Sequence, residues 1–269
     1  MLPVLENATM NALRDVGRVL FAISIAVFGL QYLFYGRFVG GLAPVPPWVP
    51  GGSIGSYLVG VFLIATAIGM ATKRQARLCA ISLGLFFLFC VLFLHTWHFR
   101  AVITQGNDRT RALEPLAMAA VSFVLAGAFP KTATGSSAWS SFENVLIKSG
   151  RFVFAFTMII FGMQHFQYAA FIATLIPAWI PVHLFWVYLT GFGFIAAAVA
   201  ICLRIFGRLA ALSLGLMFLL WFFVLHLPRA FAALHNGDEW SSAFVALCMA
   251  GACFFIASTV PNQPDGPAA

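Results

Sequence analysis

The sequence predicts an all-α integral membrane protein, and three observations carry this prediction. The chain has 269 residues, of which 62% are apolar and only 9% are charged. A soluble domain of average composition has about 25% charged residues. The apolar residues form several uninterrupted runs of about 20 residues, which is the length of helix that crosses the hydrocarbon core of a bilayer. These runs lack the alternation of a membrane β-strand, so each is expected to be a helix.

Eight such runs are predicted to span the membrane. They lie near residues 16–37, 54–71, 77–99, 113–129, 150–175, 183–203, 208–228 and 241–259. Most of the Lys and Arg residues fall on one side of this arrangement, together with both chain ends, and such basic residues mark the cytoplasmic side of a membrane protein. Both termini are therefore expected to be cytoplasmic. The basic residues are spread over short separate loops, which argues against nucleic acid as a partner and leaves the lipid bilayer.

The second half of the chain repeats the first. First-half residues and their second-half counterparts include Gly17 and Gly150, Gln31 and Gln164, Tyr35 and Tyr168, Gly60 and Gly191, Arg77 and Arg208, His95 and His226, and Gly106 and Gly237. Each half contains four predicted helices, an even number, so both halves enter and leave on the same side of the membrane. The prediction is therefore two four-helix bundles of parallel topology that lie side by side.

The repeat also predicts the division of the chain. The first unit is placed at residues 1–130 and the second at residues 150–260. The Ser- and Thr-containing stretch between them, residues 131–149, is predicted to be a cytoplasmic linker. The polar, proline-containing end of the chain, residues 261–269, is predicted to be disordered.

Polar side chains gather in the half of the predicted bundle that lies away from the termini. At a rise of 1.5 Å per residue, His165 lies about 21 Å from Arg151 and His226 about 27 Å from Arg208. Polar groups at this depth are costly unless they face the bundle interior or a cavity, so they predict a binding site. The candidate residues are Gln164, His165, Tyr168, Trp179, His183, His226 and Arg229 in the second half, and Gln31, Tyr32, Tyr35 and His95 in the first.

Each candidate also has a structural interpretation. The two histidines of the second half can hydrogen-bond to neighbouring helices. Trp179 lies between two prolines and can anchor the chain at the headgroup level, and Arg229 can extend its guanidinium to the membrane surface. Ligation of a metal or haem by His165 and His226 is disfavoured because no ligand spacing accompanies them.

Enzymatic activity is left open. The chain has no nucleophile elbow, zinc-protease motif, phosphate loop or dinucleotide fingerprint. Glu114 is placed at the start of the fourth predicted span, so no Asp or Glu is expected deep in a helix. This placement argues against a proton pump built on intramembrane carboxyl groups.

Three motifs of the second half resemble the DoxX-like family of bacterial membrane proteins. They are GRFVFAFTMIIFGMQHFQY from Gly150, PAWIP from Pro177 and RLAALSLGLMFLLWFFVLHLPR from Arg208, and the first half looks like a diverged second copy. The resemblance implies a four-helix bundle for each unit and a place in the bacterial inner membrane. It also implies a role near redox systems, because a related family supplies a subunit of thiosulfate:quinone oxidoreductase.

Carried over by position, the family's polar signature corresponds to Gln164, His165 and His226, and the first half departs from it at Tyr32. The function this implies is that of an accessory or quinone-interacting subunit of a membrane redox system, with an outer-leaflet pocket for a quinone or similar lipophile. The alternatives are a carrier or assembly factor for lipids or small solutes, and a structural subunit of a larger membrane complex.

Overall fold

The computed structural model describes residues 2–39, 42–45, 52–96, 99–130 and 137–260, and this part of the chain is helical apart from short connections. Its α-helices are α1 (Leu2–Tyr35), α2 (Gly52–Ala71), α3 (Ala76–Phe89), α4 (Phe99–Thr104), α5 (Gly106–Gly127), α6 (Ser137–Gln167), α7 (Ala169–Ala173), α8 (His183–Leu203), α9 (Gly207–Trp221), α10 (Leu227–Ala232) and α11 (Gly237–Ala257). Two π-helical turns continue α3 and α9, at Cys90–His95 and Phe222–His226.

Eight helical segments among these residues are long and apolar enough to cross a membrane. They are Glu6–Tyr35, Gly52–Ala71, Ala76–His95, Gly106–Gly127, Trp139–Gln167, His183–Leu203, Gly207–Ala232 and Gly237–Ala257. The all-α fold class and the eight predicted spans are thus confirmed, and the chain is a multi-pass membrane protein. We call the end of the array where α1 ends and α5 begins the distal end, and the opposite end the proximal end.

Several helices extend beyond the apolar runs that predicted them, because hydropathy marks the part of a helix in hydrocarbon and not its polar continuation. Helix α6 begins at Ser137, so residues 137–149 of the linker predicted at residues 131–149 are helical. In this part of α6, Trp139, Phe142 and Leu146 are spaced so that they lie on one face of a helix. Such spacing of apolar residues is typical of an amphipathic helix. Residues 131–136 and the predicted tail, residues 261–269, lie outside the described residues.

The two halves interlock through their first and last spans. Helix α1 packs along α2 of its own half and along α11, the last helix of the second half. In the same way α6 packs along α8 and along α5, the last helix of the first half. Helices α5 and α11 also contact each other and are the most deeply buried spans. The predicted division into two side-by-side bundles is therefore not confirmed.

Small residues bring these exchanged helices into backbone contact, as is common between membrane helices. A Cβ added at Gly251 of α11 would lie 2.7 Å from the carbonyl oxygen of Gly17 in α1. A Cβ added at Gly150 of α6 would lie 2.5 Å from the carbonyl oxygen of Ala120 in α5. Glycine at these positions is what allows the two helix pairs to approach so closely.

At the proximal end, Arg77 joins three helices. It begins α3, and its Nε donates a hydrogen bond to Oε1 of Glu143 in α6 at 2.8 Å. Its Nη1 donates to the carbonyl oxygens of Ala126 and Phe129 at the end of α5, at 3.1 and 2.7 Å. The side chains of Arg77 and Glu143 are only 12% and 5% exposed, so this ion pair is largely removed from solvent.

The second half repeats this arrangement with Arg208 at the start of α9. Its Nη1 donates to Oε1 of Glu6 in α1 at 2.8 Å, and its Nε donates to the carbonyl oxygen of Val260 at 3.4 Å. Here the carboxylate is 57% exposed. Each arginine thus ties the end of its own half to the first helix of the other half, and the pair that includes Glu143 is the better shielded of the two.

We expect Gly17→Ala to lower the free energy of unfolding by about 1–3 kcal/mol, because overpacking a closely packed interface forces the backbones apart. The new Cβ would lie 2.5 Å from the backbone nitrogen of Phe255 and 2.7 Å from the carbonyl oxygen of Gly251. Thermal unfolding in detergent measures the effect. Gly52→Ala is the matched control, since a Cβ there meets nothing within 4 Å. Equal unfolding temperatures for the two variants would contradict the close contact of α1 and α11.

We expect Glu143→Ala to be much more destabilising than Glu6→Ala. Removing Glu143 leaves the shielded charge of Arg77 without its counterion, which is expected to lower the free energy of unfolding by about 3 kcal/mol. Glu6 is mostly exposed, and exposed ion pairs contribute about 1 kcal/mol or less. Unfolding titrations with sodium dodecyl sulfate compare the two variants. A larger loss for Glu6→Ala would show that shielding does not determine the strength of these pairs.

Candidate functional site

A cavity of about 640 Å³ lies in the distal half of the helix array. Its wall combines α5 of the first half with α6, α8, α9, the second π-helical turn and α11 of the second half. This volume falls within the range of about 300–1,000 Å³ that is usual for small-molecule sites. The cavity therefore exists only because helices of the two halves are interlocked.

The wall of the cavity includes seven aromatic side chains among a larger number of aliphatic ones. The aromatic side chains are Phe161, Tyr168, Phe171, Trp186, Phe194, Phe218 and Trp221. Polar side chains also line the cavity, and the charged ones among these are Arg111, Glu114 and Asp238. An apolar wall that carries polar groups is the usual composition of a site for a lipophilic ligand with a polar end.

Four of the seven second-half candidates line this cavity, namely Gln164, His165, Tyr168 and His226. The other three do not. Trp179 is 74% exposed, and His183 begins α8 outside the wall. Arg229 donates two hydrogen bonds to the carboxylate of Glu239, at 3.1 and 2.7 Å, so its guanidinium is held by an ion pair.

The four first-half candidates lie outside the cavity. Gln31, Tyr32 and His95 are buried, and Tyr35 packs beside Gly237. Tyr32 occupies the position equivalent to His165 and is only 1% exposed. Its ring lies edge-on to that of Phe38, with centroids 5.2 Å apart. The position that His165 has in the second half is thus taken, in the first half, by a buried phenol ring that packs on Phe38.

His165 presents one ring nitrogen to the cavity. Its Nδ1 lies 2.8 Å from the carbonyl oxygen of Phe161, one turn earlier in α6. Because a carbonyl oxygen only accepts, Nδ1 donates, and in the neutral ring Nε2 carries the lone pair. The ring lies against Phe194 at 5.2 Å between centroids, and Gly191 leaves room for the His165 Cβ. His165 therefore offers a positioned hydrogen-bond acceptor.

Gln164 joins α6 to α5 and has a structural role. Its Nε2 donates to the carbonyl oxygen of Gly106 at 2.9 Å and to Oγ1 of Thr110 at 3.1 Å. The side chain is only 5% exposed, so these bonds are protected from solvent. They fix the height of α5 relative to α6 at the level of the cavity.

The first half has the equivalent contact. Nε2 of Gln31 lies 3.4 Å from the carbonyl oxygen of Gly237, and the hydroxyl of Ser241 donates to Oε1 of Gln31 at 3.0 Å. Gly237 and Ser241 are the repeat counterparts of Gly106 and Thr110. Both glutamines thus connect the first helix of one half to the last helix of the other.

His226 ends the second π-helical turn, and π-helical turns occur frequently at functional sites. It lines the cavity and makes no hydrogen bond to any residue that the structure describes. Its imidazole is therefore available to a ligand. The first half has a π-helical turn at the same place, which ends at His95.

Glu114 lines the cavity although the sequence did not predict it as a site residue. Helix α5 begins at Gly106, not near residue 113, so Glu114 lies eight residues inside it, about 12 Å along the axis at 1.5 Å per residue. It lines the cavity, and it forms no hydrogen bond or ion pair with the described part of the chain. Asp108 was the available signal for the earlier start, because acidic residues favour the first turn of a helix.

A short segment covers the distal end of the cavity. Helix α6 ends at Gln167, where Tyr168 leaves the helical conformation with φ −114° and ψ 27°. The predicted fifth span, which ran to residue 175, is therefore broken here, and α7 follows as a separate short helix. Phe171 and Ile176 of this cover line the cavity. The cover is itself held by a small apolar cluster that includes Ile176, Ile180 and Val187.

We expect Gln164→Leu to lower the free energy of unfolding by about 1–3 kcal/mol, because it removes the two hydrogen bonds that the buried amide of Gln164 donates to Gly106 and Thr110 of α5. Gln167→Leu on the same helix is the control. Gln167 is exposed and only accepts a hydrogen bond from Arg109 at 3.3 Å, so its replacement should change the free energy by less than about 0.5 kcal/mol. Thermal unfolding in detergent distinguishes the two, and equal effects would contradict the role of Gln164 in joining the helices.

Comparison with known proteins adds one match. A family model described as a domain of unknown function (DUF8561) matches residues 154–257, which lie within the second half of the chain. Gln164, His165 and His226 fall inside the matched residues, whereas Glu114 does not. No curated protein matches the chain. No solved structure matches it either.

Proposed function

We propose that this protein binds a quinone or a similar lipophilic ring compound in the cavity and acts as an accessory subunit of a bacterial inner-membrane redox system. The observation that carries the proposal is the aromatic cavity itself, with His165 and His226 both in its wall. Aromatic side chains favour contact with planar rings. An imidazole can donate or accept a hydrogen bond and exchanges protons near neutral pH.

The depth of the cavity supports a ligand that comes from the bilayer. Its wall is formed by membrane-spanning helices near their distal ends. A lipophile with an apolar tail and a polar head group has its head group at this level. If the termini are cytoplasmic, the distal end lies in the outer leaflet. The resemblance to DoxX-like proteins is the reason to place the ligand in a redox system.

A second candidate function is a carrier or assembly factor for lipids or small solutes, and the position of the cavity between the two halves favours it. The interlocking of α1 with α11 and of α5 with α6 argues against halves that rock apart. Uptake of a lipid or solute into sealed vesicles without an electron donor would favour the carrier. A structural subunit of a larger complex would tolerate substitutions in the cavity wall.

We expect purified protein in detergent to bind a short-chain benzoquinone and His226→Ala to bind it at least about fivefold more weakly, equivalent to about 1 kcal/mol, the size of one hydrogen bond. His226 makes no hydrogen bond to described residues, so its removal should leave the fold intact. Quenching of tryptophan fluorescence follows binding, because two of the seven Trp residues line the cavity.

The controls for this experiment are His183→Ala, which removes a histidine outside the cavity wall, and Trp179→Ala, which removes a tryptophan outside it. Both should bind the quinone as the unmodified protein does. Absence of saturable binding to the unmodified protein would overturn the proposed function. A loss of binding in the two controls that matched the loss in His226→Ala would place the ligand elsewhere.

A further inference from the structure

We infer that the cavity prefers the reduced, hydroxyl-bearing form of its ring compound, the quinol, and that Glu114 is the residue that selects it. This inference rests on the proposed function, because it concerns the ligand of the same cavity. A quinone offers only carbonyl oxygens, which accept hydrogen bonds. A quinol offers two hydroxyl groups, which donate them. The preference therefore depends on which polar groups of the wall still need a partner.

Glu114 is the principal group that needs a donor. It lies in the cavity wall, two turns inside a membrane-spanning helix, and has no hydrogen-bond or ion-pair partner among the described residues. The ionised form of this side chain only accepts hydrogen bonds. In an apolar wall that form is favoured when a donor is supplied to it. A hydroxyl group of the ligand would supply the missing donor, and a carbonyl oxygen would repel the carboxylate.

His165 is a second acceptor at the same level. Its Nδ1 is held by the carbonyl oxygen of Phe161, so Nε2 of the neutral ring is left to accept. The bond between Gln164 and Thr110 fixes the heights of the two helices. Glu114 lies one turn to the proximal side of Thr110. The His165 ring is likewise turned toward the proximal side, where Phe161 lies one turn before it in α6. The two acceptors therefore lie at a similar depth.

The two indole groups of the wall, which can only donate, already have partners within the protein. The Nε1 groups of Trp186 and Trp221 donate to the carbonyl oxygen of Pro181 and to Oγ1 of Thr190, at 3.1 and 3.2 Å. The guanidinium of Arg111 lies 3.7 Å from a carboxylate oxygen of Asp238. The amide of Gln164 is used to join α5 and α6. The uncharged polar groups of the wall that remain, which include the hydroxyl of Tyr168 and the imidazole of His226, can each donate or accept, so they bind either form. The two acceptors then decide between the forms.

The repeat supports a dedicated role for this carboxylate. The counterpart of Glu114 in the second half is Val245, and the counterpart of His165 in the first half is Tyr32. The two acceptors therefore occur together in one helix pair, α5 and α6, and both line the cavity. In the equivalent pair, α11 and α1, an aliphatic and a phenol side chain take their places.

A preference for quinol has a measurable consequence for the redox couple. Tighter binding of the reduced form raises the midpoint potential of the bound couple, by about 30 mV for each tenfold difference in affinity of a two-electron couple. A protein with this preference would retain quinol and release quinone. It would thus hold reducing equivalents, and its bound couple would be more oxidising than the free couple.

The test compares three ligands in the full-length protein under anaerobic conditions. They are a short-chain benzoquinone, its hydroquinone and the dimethyl ether of that hydroquinone, which has the same ring but no donor. We expect the hydroquinone to bind at least tenfold more tightly than either of the other two. Equal affinities for hydroquinone and quinone would overturn this inference and leave the proposed function standing. Failure of all three to bind would overturn both.

Glu114→Gln tests the assignment to this residue, because the amide can donate to a carbonyl oxygen. We expect the preference of this variant for hydroquinone over quinone to fall below threefold, while its affinity for the quinone is kept or increased. Asp108→Asn is the matched control, since it removes a carboxylate from the same helix outside the cavity wall and should keep the tenfold preference. A Glu114→Gln protein that keeps the full preference would show that another group selects the quinol. His165→Phe, which keeps a ring but removes the second acceptor, should lower the preference partway if Glu114→Gln does not fold.

Discussion

The close approach of α1 to α11, and of α6 to α5, is the contact on which the rest of the structure depends. In both pairs the approach is limited by backbone atoms, because a Cβ at Gly17 or Gly150 would lie within 2.5 Å of its neighbour helix. A wider spacing would take Gln164 out of reach of Gly106 and move α5 away from the cavity that it helps to enclose. Two glycines thus determine whether a site between the halves can exist. The arginines at the proximal end close the same helix pairs from the other side of the membrane.

The repeat kept its scaffold and changed its site. The glutamines that join the halves, Gln31 and Gln164, are present in both copies with equivalent partners, as are the π-helical turns that end in histidine. The difference lies one residue beyond each glutamine, where Tyr32 is buried and His165 lines a cavity. The same position of the repeat thus packs the interior in one copy and borders a cavity in the other.

The sequence predicted the eight spans and the repeat, and it predicted Gln164, His165 and His226 as a group that the structure brings to one cavity. It did not predict which helices would be neighbours, because hydrophobic periodicity describes the faces of a helix and not the partner of each face. From the sequence, the first helix of each half could pack on the last helix of its own half or on that of the other half. The contacts of Gly17 with α11 and of Gly150 with α5 show that the first helix of each half packs on the last helix of the other half.

The placement of Glu114 failed for a related reason. Hydropathy marks where a helix becomes apolar, and the first turns of α5 are polar although they are helical and line a cavity. Trp179 was misleading in the opposite direction, since a tryptophan between prolines suits an interfacial anchor as well as a pocket wall, and its side chain is 74% exposed. Polar residues at the ends of membrane helices are therefore the positions where sequence alone discriminates least between surface and site.

The interlocking also limits how a ligand can enter. Separation of the two halves would break the Gln164 hydrogen bonds, the shielded pair of Arg77 with Glu143 and the backbone contacts of the exchanged helices at the same time. Movement of residues 168–180 would disturb the small apolar cluster around Ile176 and Val187 and the packing of Tyr168 on Gly106. The free-energy difference between these two routes follows from the number of buried polar contacts that each must break. Entry past the distal cover, directly from the lipid, is thus the route that the packing favours, and it suits a lipophile better than a solute carried across the membrane.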